Sequence, residues 1–93
     1  MAIQGIFSRL DSEPIKNAVL DLINKTGNEK TGWTGFFNVY KNKTSYTKNE
    51  GPITQFSYFI NDGSAEVDVE ARLYDAVKNS GILSKAKDIN ITV

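Results

Sequence analysis

The chain has 93 residues, of which 40% are apolar, and its eleven basic and eleven acidic side chains give a formal net charge of zero. This length fits one small domain, spanning residues 1–93, and the balanced charge gives no long-range attraction toward nucleic acid or membrane. Histidine and cysteine are absent, which removes the side chains that most often serve proton transfer, thiolate attack and transition-metal binding. We therefore expect a protein that is not an enzyme and uses no metal or cofactor.

The first third of the sequence predicts a short strand followed by a helix. Residues 2–7 are a possible first strand, which Gly5 weakens. After Pro14, apolar residues recur at the three- and four-residue spacing of an amphipathic helix: Ile15, Ala18, Val19, Leu22 and Ile23. This helix is expected to end near Gly27.

Two strands are predicted in the middle of the chain, at residues 33–40 and 53–60. Both segments are rich in aromatic and β-branched residues and are bounded by polar turn residues. We expect them to pair in an antiparallel manner. Residues 41–52 between them form either one long hairpin loop or a loop with a short extra strand at residues 45–47.

A second helix and a last strand are predicted in the carboxyl-terminal third. Val69, Leu73, Ala76 and Val77 share one helical face, and the helix is expected to end at residues 78–81. Its acidic residues lack the spacing of an EF-hand loop and are expected to cap and stabilise the helix start: Asp62, Glu66, Asp68 and Glu70. Residues 88–93 alternate in polarity and predict a closing strand.

The predicted order is therefore β-α-β-β-α-β, the split-βαβ or ferredoxin-like arrangement. We expect an α+β fold in which an antiparallel sheet of three or four strands carries both helices on one face. The other face of the sheet would then be open.

Aromatic residues mark the candidate site on that open face. Alternation along the two central strands turns Phe37 and Phe56 toward the helices and leaves Phe36, Tyr40 and Phe59 on the other side. We take these three residues, together with Trp33, as candidates for binding a partner, because aromatic anchors supply much of the binding energy of interfaces. The alternative is that a terminal segment, a second copy or the strand twist covers them.

Basic residues define a second candidate at the end of the first central strand. Lys41, Lys43, Tyr46 and Lys48 follow Tyr40 and alternate aromatic with basic side chains, a pattern that could stack single-stranded bases and contact phosphates. Lysine-rich loops also occur simply as solvated segments that block edge pairing.

Three hypotheses for the function follow. The first is a non-catalytic protein that binds another protein stoichiometrically, such as a small phage or mobile-element inhibitor or accessory factor. The alternatives are single-stranded nucleic-acid binding through the basic loop, and self-assembly into an oligomer through the open face or an edge strand. No apolar targeting or membrane-spanning segment is predicted, so we expect a cytoplasmic protein without a membrane partner.

Overall fold

A computed structural model describes residues 2–8, 13–48 and 50–89 of the chain. Five strands form one antiparallel sheet in the order β4-β3-β2-β1-β5. The elements are β1 (Ala2–Phe7), β2 (Ile15–Asn28), β3 (Gly32–Tyr40), α1 (Lys43–Thr47), β4 (Thr54–Ile60), α2 (Val69–Asn79) and β5 (Leu83–Ile89). The α+β class and the antiparallel sheet are confirmed, but the ferredoxin-like order and the count of three or four strands are wrong.

The largest correction concerns β2, which the sequence predicts as a helix. β2 is the middle strand of the sheet, and its residues Ala18, Val19 and Leu20 are all fully buried. A strand covered on both faces reads as a continuous apolar run, which cannot be distinguished from a buried helical segment by periodicity. The three- and four-residue spacing of the apolar residues around this run therefore does not indicate a helix.

The linker before β4 contains a short helix rather than a loop or an extra strand. Its first turn is stabilised by Asn42, whose side-chain oxygen accepts a hydrogen bond of 2.8 Å from the backbone N–H of Ser45. Tyr46 of α1 packs against Val19 and Tyr40, whereas α2 packs on the face that holds Leu20 and Val39. The two helices of the structure therefore lie on opposite faces of the sheet, and of the two predicted helices only the second is present, as α2.

The main core lies between α2 and the sheet. Val69, Leu73, Tyr74 and Val77 of α2 are buried there, as the helical spacing predicts for three of them. The Tyr74 hydroxyl accepts a 2.8 Å hydrogen bond from the backbone N–H of Leu22, and burial raises the pKa of Tyr74 far above its ordinary value. This bond joins the middle of α2 to the central strand.

The sheet curls strongly toward α2. Phe7 of β1 pairs with Ile15, whereas Phe37 of β3 pairs with Leu22, seven residues further along β2. In a flat sheet Phe7 and Phe56 of β4 would be about 14 Å apart across the strands and about 23 Å apart along them. Their ring centroids are 5.8 Å apart, and Phe56 also stacks on Phe37 at 5.1 Å. The curl therefore brings β1 and β4 into contact on the helix side.

β1 and β5 complete the sheet. The uncertain first strand is present as Ala2–Phe7, between β2 and β5. The closing strand begins earlier than predicted, because β5 spans Leu83–Ile89 and not residues 88–93. Residues 90–93 lie outside the part of the chain that the structure describes.

Candidate functional site

The sheet face opposite α2, called the outer face below, carries the predicted aromatic residues. Register pairs Phe36 with Ser57 and Thr34 with Phe59, so Phe36 and Phe59 are diagonal neighbours on this face. Phe37 and Phe56 point to the helix side, where they stack. The alternation predicted for both strands is therefore what the structure shows.

The aromatic patch, as it is called below, consists of Phe36 and Phe59 on the outer face and of Ile23, which lies next to Phe36. Phe59 is 57% exposed, Ile23 is 49% exposed and Phe36 is 36% exposed. Ile23 and Phe36 border a shallow depression of about 400 Å³, together with Gln55 and Ser57. Bulky apolar side chains gathered in this way on one sheet face are a feature of interaction surfaces.

Ile23 was not predicted to belong to this patch. The pairing of β2 with β3 shifts register between Leu22 and Asn24, which leaves Ile23 as the extra residue of a β-bulge. The sequence places Ile23 on a helix face, and nothing in the local pattern signals a bulge.

Phe59 is held in place by a glycine beneath its ring. A Cβ added to Gly32 would lie 2.6 Å from the ring of Phe59 and 2.6 Å from the carbonyl oxygen of Ile60. Gly32 also has a φ of +96°, which glycine adopts without strain. The ring therefore lies against the backbone of β3 at Gly32, although Phe59 is 57% exposed.

The surroundings of the aromatic patch are mostly polar and uncharged, with Asp21 of β2 at their margin, opposite Asn38. Asn38 and Gln55 share a 2.6 Å hydrogen bond between their side-chain amides. Within the described residues, the outer face from Asn24 to Thr26 on β2, from Thr34 to Asn38 on β3 and from Gln55 to Phe59 on β4 carries no charged side chain. Interface centres are depleted in charge in the same way.

Two of the predicted partner-binding residues are not accessible. Tyr40 is 8% exposed, because Tyr46 of α1 covers it with a ring-centroid distance of 5.0 Å. Trp33 is 7% exposed, and its indole N–H donates a 2.9 Å hydrogen bond to the carbonyl oxygen of Ser64. The accessible part of the predicted site is therefore Phe36 and Phe59.

The basic loop is divided between an internal contact and solvent. Tyr46 packs on Tyr40 and bonds to the carboxylate of Asp21, so neither tyrosine is free to stack a base. Lys41, Lys43 and Lys48 are exposed. The structure thus separates these lysines from the aromatic rings that a nucleic-acid site would need.

The contact between Asp21 and Tyr46 is partly buried, and this burial changes the pKa of both groups. Desolvation raises the pKa of the Asp21 carboxyl above its ordinary value, although the hydrogen bond from Tyr46 opposes the rise. Desolvation, and then the nearby Asp21 charge, raise the pKa of the Tyr46 hydroxyl. The pair fixes α1 to the outer face of β2.

A second depression, of about 470 Å³, lies at the β2–β3 hairpin. It is bordered by Trp33 and by the charged residues Glu29, Lys30 and Glu66. Within the described part of the chain, no group of acidic residues is arranged to hold a metal ion. Its border therefore combines one indole ring with charged side chains of both signs.

Comparisons with models of protein families, with curated proteins and with solved structures found no match to this chain. Among the described residues, no helix has the length and apolar character needed to cross a membrane.

Proposed function

We propose that the chain is a non-catalytic binding protein that acts stoichiometrically on another protein through the aromatic patch, in the manner of a small phage or mobile-element inhibitor or accessory factor. The observation that carries this proposal is the exposure of Phe36 and Phe59 as diagonal neighbours on a stretch of β3 and β4 without charged side chains, with the exposed Ile23 next to Phe36. The proposal includes the expectation that the protein is not an enzyme.

The energetics of interfaces support a protein partner. Phe59 and Phe36 are two large rings with few rotatable bonds, so ordering them on binding costs little entropy. Their rings lie beside amide and hydroxyl groups, those of Asn38, Gln55 and Ser57. An apolar centre with a neutral polar rim matches the anatomy of protein interfaces.

Nucleic acid is the weaker candidate for the same face. Phosphate contacts supply most of the affinity of non-specific nucleic-acid binding and require lysine or arginine near the bases. Among the described residues of β3 and β4, the outer face around Phe36 and Phe59 carries no lysine or arginine, and the exposed lysines of residues 41–48 follow the buried Tyr40. We therefore expect the affinity for a protein partner to persist as the salt concentration is raised.

The proposal is tested by capturing a partner from a lysate of the native host on the tagged chain and identifying it by mass spectrometry. With the partner in hand, the Kd is measured for the wild type, Phe36→Ala and Val67→Ala. We expect Phe36→Ala to weaken binding at least about 10-fold, since aromatic hot spots contribute more than about 1.4 kcal/mol. Val67→Ala is the matched control, because Val67 is 87% exposed but lies before α2, away from the outer face.

Two results would contradict the proposal. One is an unchanged Kd in Phe36→Ala and in Phe59→Ala, with both variants shown to be folded by circular dichroism. The other is binding to single-stranded oligonucleotides at low salt that falls steeply as salt rises.

A further inference from the structure

The two edges of the sheet differ in how they are protected against pairing. An edge strand exposes unpaired N–H and C=O groups, and proteins usually block it with charges, prolines or irregular backbone. β5 has such devices: Lys85, Lys87 and Asp88 lie in the strand, and Lys85 has a φ of +54°. β5 is therefore a poor template for a further strand.

β4, at the opposite edge, has none of these devices within its described residues. It spans Thr54–Ile60 without a charged residue or a proline, and every residue pairs in regular register with β3. Gln55, Ser57 and Phe59 are exposed on the outer face, while Phe56 and Tyr58 are half-buried on the helix side. Strand addition at this edge would remove aromatic surface from water on both faces of the sheet.

The position of α2 leaves this edge accessible. Leu73 of α2 lies against the space above Gly35 of β3 and beside Leu22 of β2, and Tyr74 bonds to the backbone of Leu22. α2 also contacts β4 on the helix side, but among the described residues no backbone hydrogen bond joins the outward edge of β4 to α2 or to a loop.

The sequence of β4 is compatible with antiparallel pairing to itself. When two copies pair about a twofold axis at Ser57, the middle residue of the strand, Phe56 of one copy lies opposite Tyr58 of the other. Gln55 then lies opposite Phe59, and Ser57 lies opposite Ser57. Each pair joins residues of the same face, and no like charges meet.

We propose that two copies of this chain associate through their β4 edges, in antiparallel register about Ser57, to form a continuous ten-stranded sheet. This inference goes beyond the proposed function and does not depend on it. The twofold axis places the two aromatic patches on one continuous outer face.

The first test measures the mass of the untagged chain in solution by light scattering after size exclusion, over a range of concentrations. The wild type is expected at twice the monomer mass of 10.3 kDa. Ser57→Lys is expected to be monomeric, because the twofold axis places the two lysines directly opposite each other. Ser84→Lys is the matched control: Ser84 is an exposed serine on the β5 edge, and this variant is expected to remain dimeric.

Two further experiments examine the register, and the first of them does not depend on the folding of Ser57→Lys. The chain contains no cysteine, so Ser57→Cys provides one thiol per copy. A short bis-maleimide is expected to link two Ser57→Cys chains covalently and to leave Ser84→Cys unlinked. Mixing Ser57→Lys with Ser57→Asp is expected to restore a dimer, since opposite charges then meet across the axis.

Three outcomes would overturn the inference: a wild type that is monomeric at every concentration, a dimer that Ser84→Lys breaks and Ser57→Lys leaves intact, or equal cross-linking of the two cysteine variants. Loss of partner capture in Phe36→Ala bears only on the proposed function. A change in mass of Ser57→Lys bears only on the dimer.

Discussion

The contact of Phe59 with Gly32 shows how one residue can decide the shape of the candidate site. The ring of Phe59 occupies the place that a side chain at residue 32 would fill. The aromatic patch therefore depends on a glycine that is itself buried.

We expect Gly32→Ala to destabilise the fold by about 3 kcal/mol or more, since it adds collisions with Phe59 and Ile60 to left-handed backbone strain. Gly63 also has a positive φ, +76°, but nothing lies near it. Gly63→Ala should therefore cost only the strain, about 1 kcal/mol. Gly51→Ala, in open space, should change stability by less than about 0.5 kcal/mol. Urea unfolding measures all three, and equal losses in Gly32→Ala and Gly63→Ala would show that the ring does not rest on the backbone.

The exposure of single residues was predictable where alternation along a strand decides it. Phe36 and Phe59 follow directly from the period-two pattern of β3 and β4. Tyr40 obeys the same alternation but is buried, because Tyr46 reaches it from a helix that the sequence does not predict. Such a contact depends on the path of a loop, which local patterns do not determine.

At the scale of elements, burial explains the misassigned strand. β2 is predicted as a helix because apolar residues recur after Pro14 at three- and four-residue spacing. In the structure the stretch from Ala18 to Leu20 is buried on both faces of the sheet, so its apolar residues do not mark one side of a helix. β3, β4 and α2 were predictable, because each has one face that is more exposed to solvent than the other. Apolar residues therefore recur along each of them at the spacing of a strand or a helix. A strand covered on both sides has no such period.

The attachment of α1 to β2 predicts a dependence of stability on pH. The folded state raises the pKa of Asp21 above 3.8, so the folded state binds more protons than the unfolded state just above that pH. Stability is therefore expected to fall as pH rises through the raised pKa. Near the alkaline end, Tyr46 resists ionisation in the folded state, so stability is expected to fall again above pH 10.0.

Urea midpoints from pH 4 to pH 7 check the acid part, with Asp21→Asn as the comparison. The variant cannot titrate at this position, so its midpoint should fall less across that range. Parallel curves for the two proteins would show that Asp21 is not the responsible group. Tyr46→Phe, tested above pH 9, serves the same purpose for the alkaline part.

The curl of the sheet belongs to the whole molecule. Phe7, Phe37 and Phe56 come from three strands and meet in one stack on the helix side. Since β1 and β4 are not neighbours in the sheet, this stack stabilises the curved form and not merely a pair of strands.

A double-mutant cycle tests this role. Phe7→Leu and Phe56→Leu are expected to be coupled by about 0.5–1.5 kcal/mol, the range measured for aromatic pairs. Phe7→Leu and Phe36→Leu lie on opposite faces and should be additive within about 0.5 kcal/mol. Additivity in the first pair as well would mean that β1 and β4 do not touch in solution. Thermal or urea unfolding provides the free energies.

Because the sheet curls toward α2, its outer face, with Phe36 and Phe59 and the adjacent Ile23, is convex. A convex surface of this kind matches a concave surface better than a flat one, since a flat surface would contact one ring at a time. Under the proposed function, the partner is therefore expected to present a concave surface to this face.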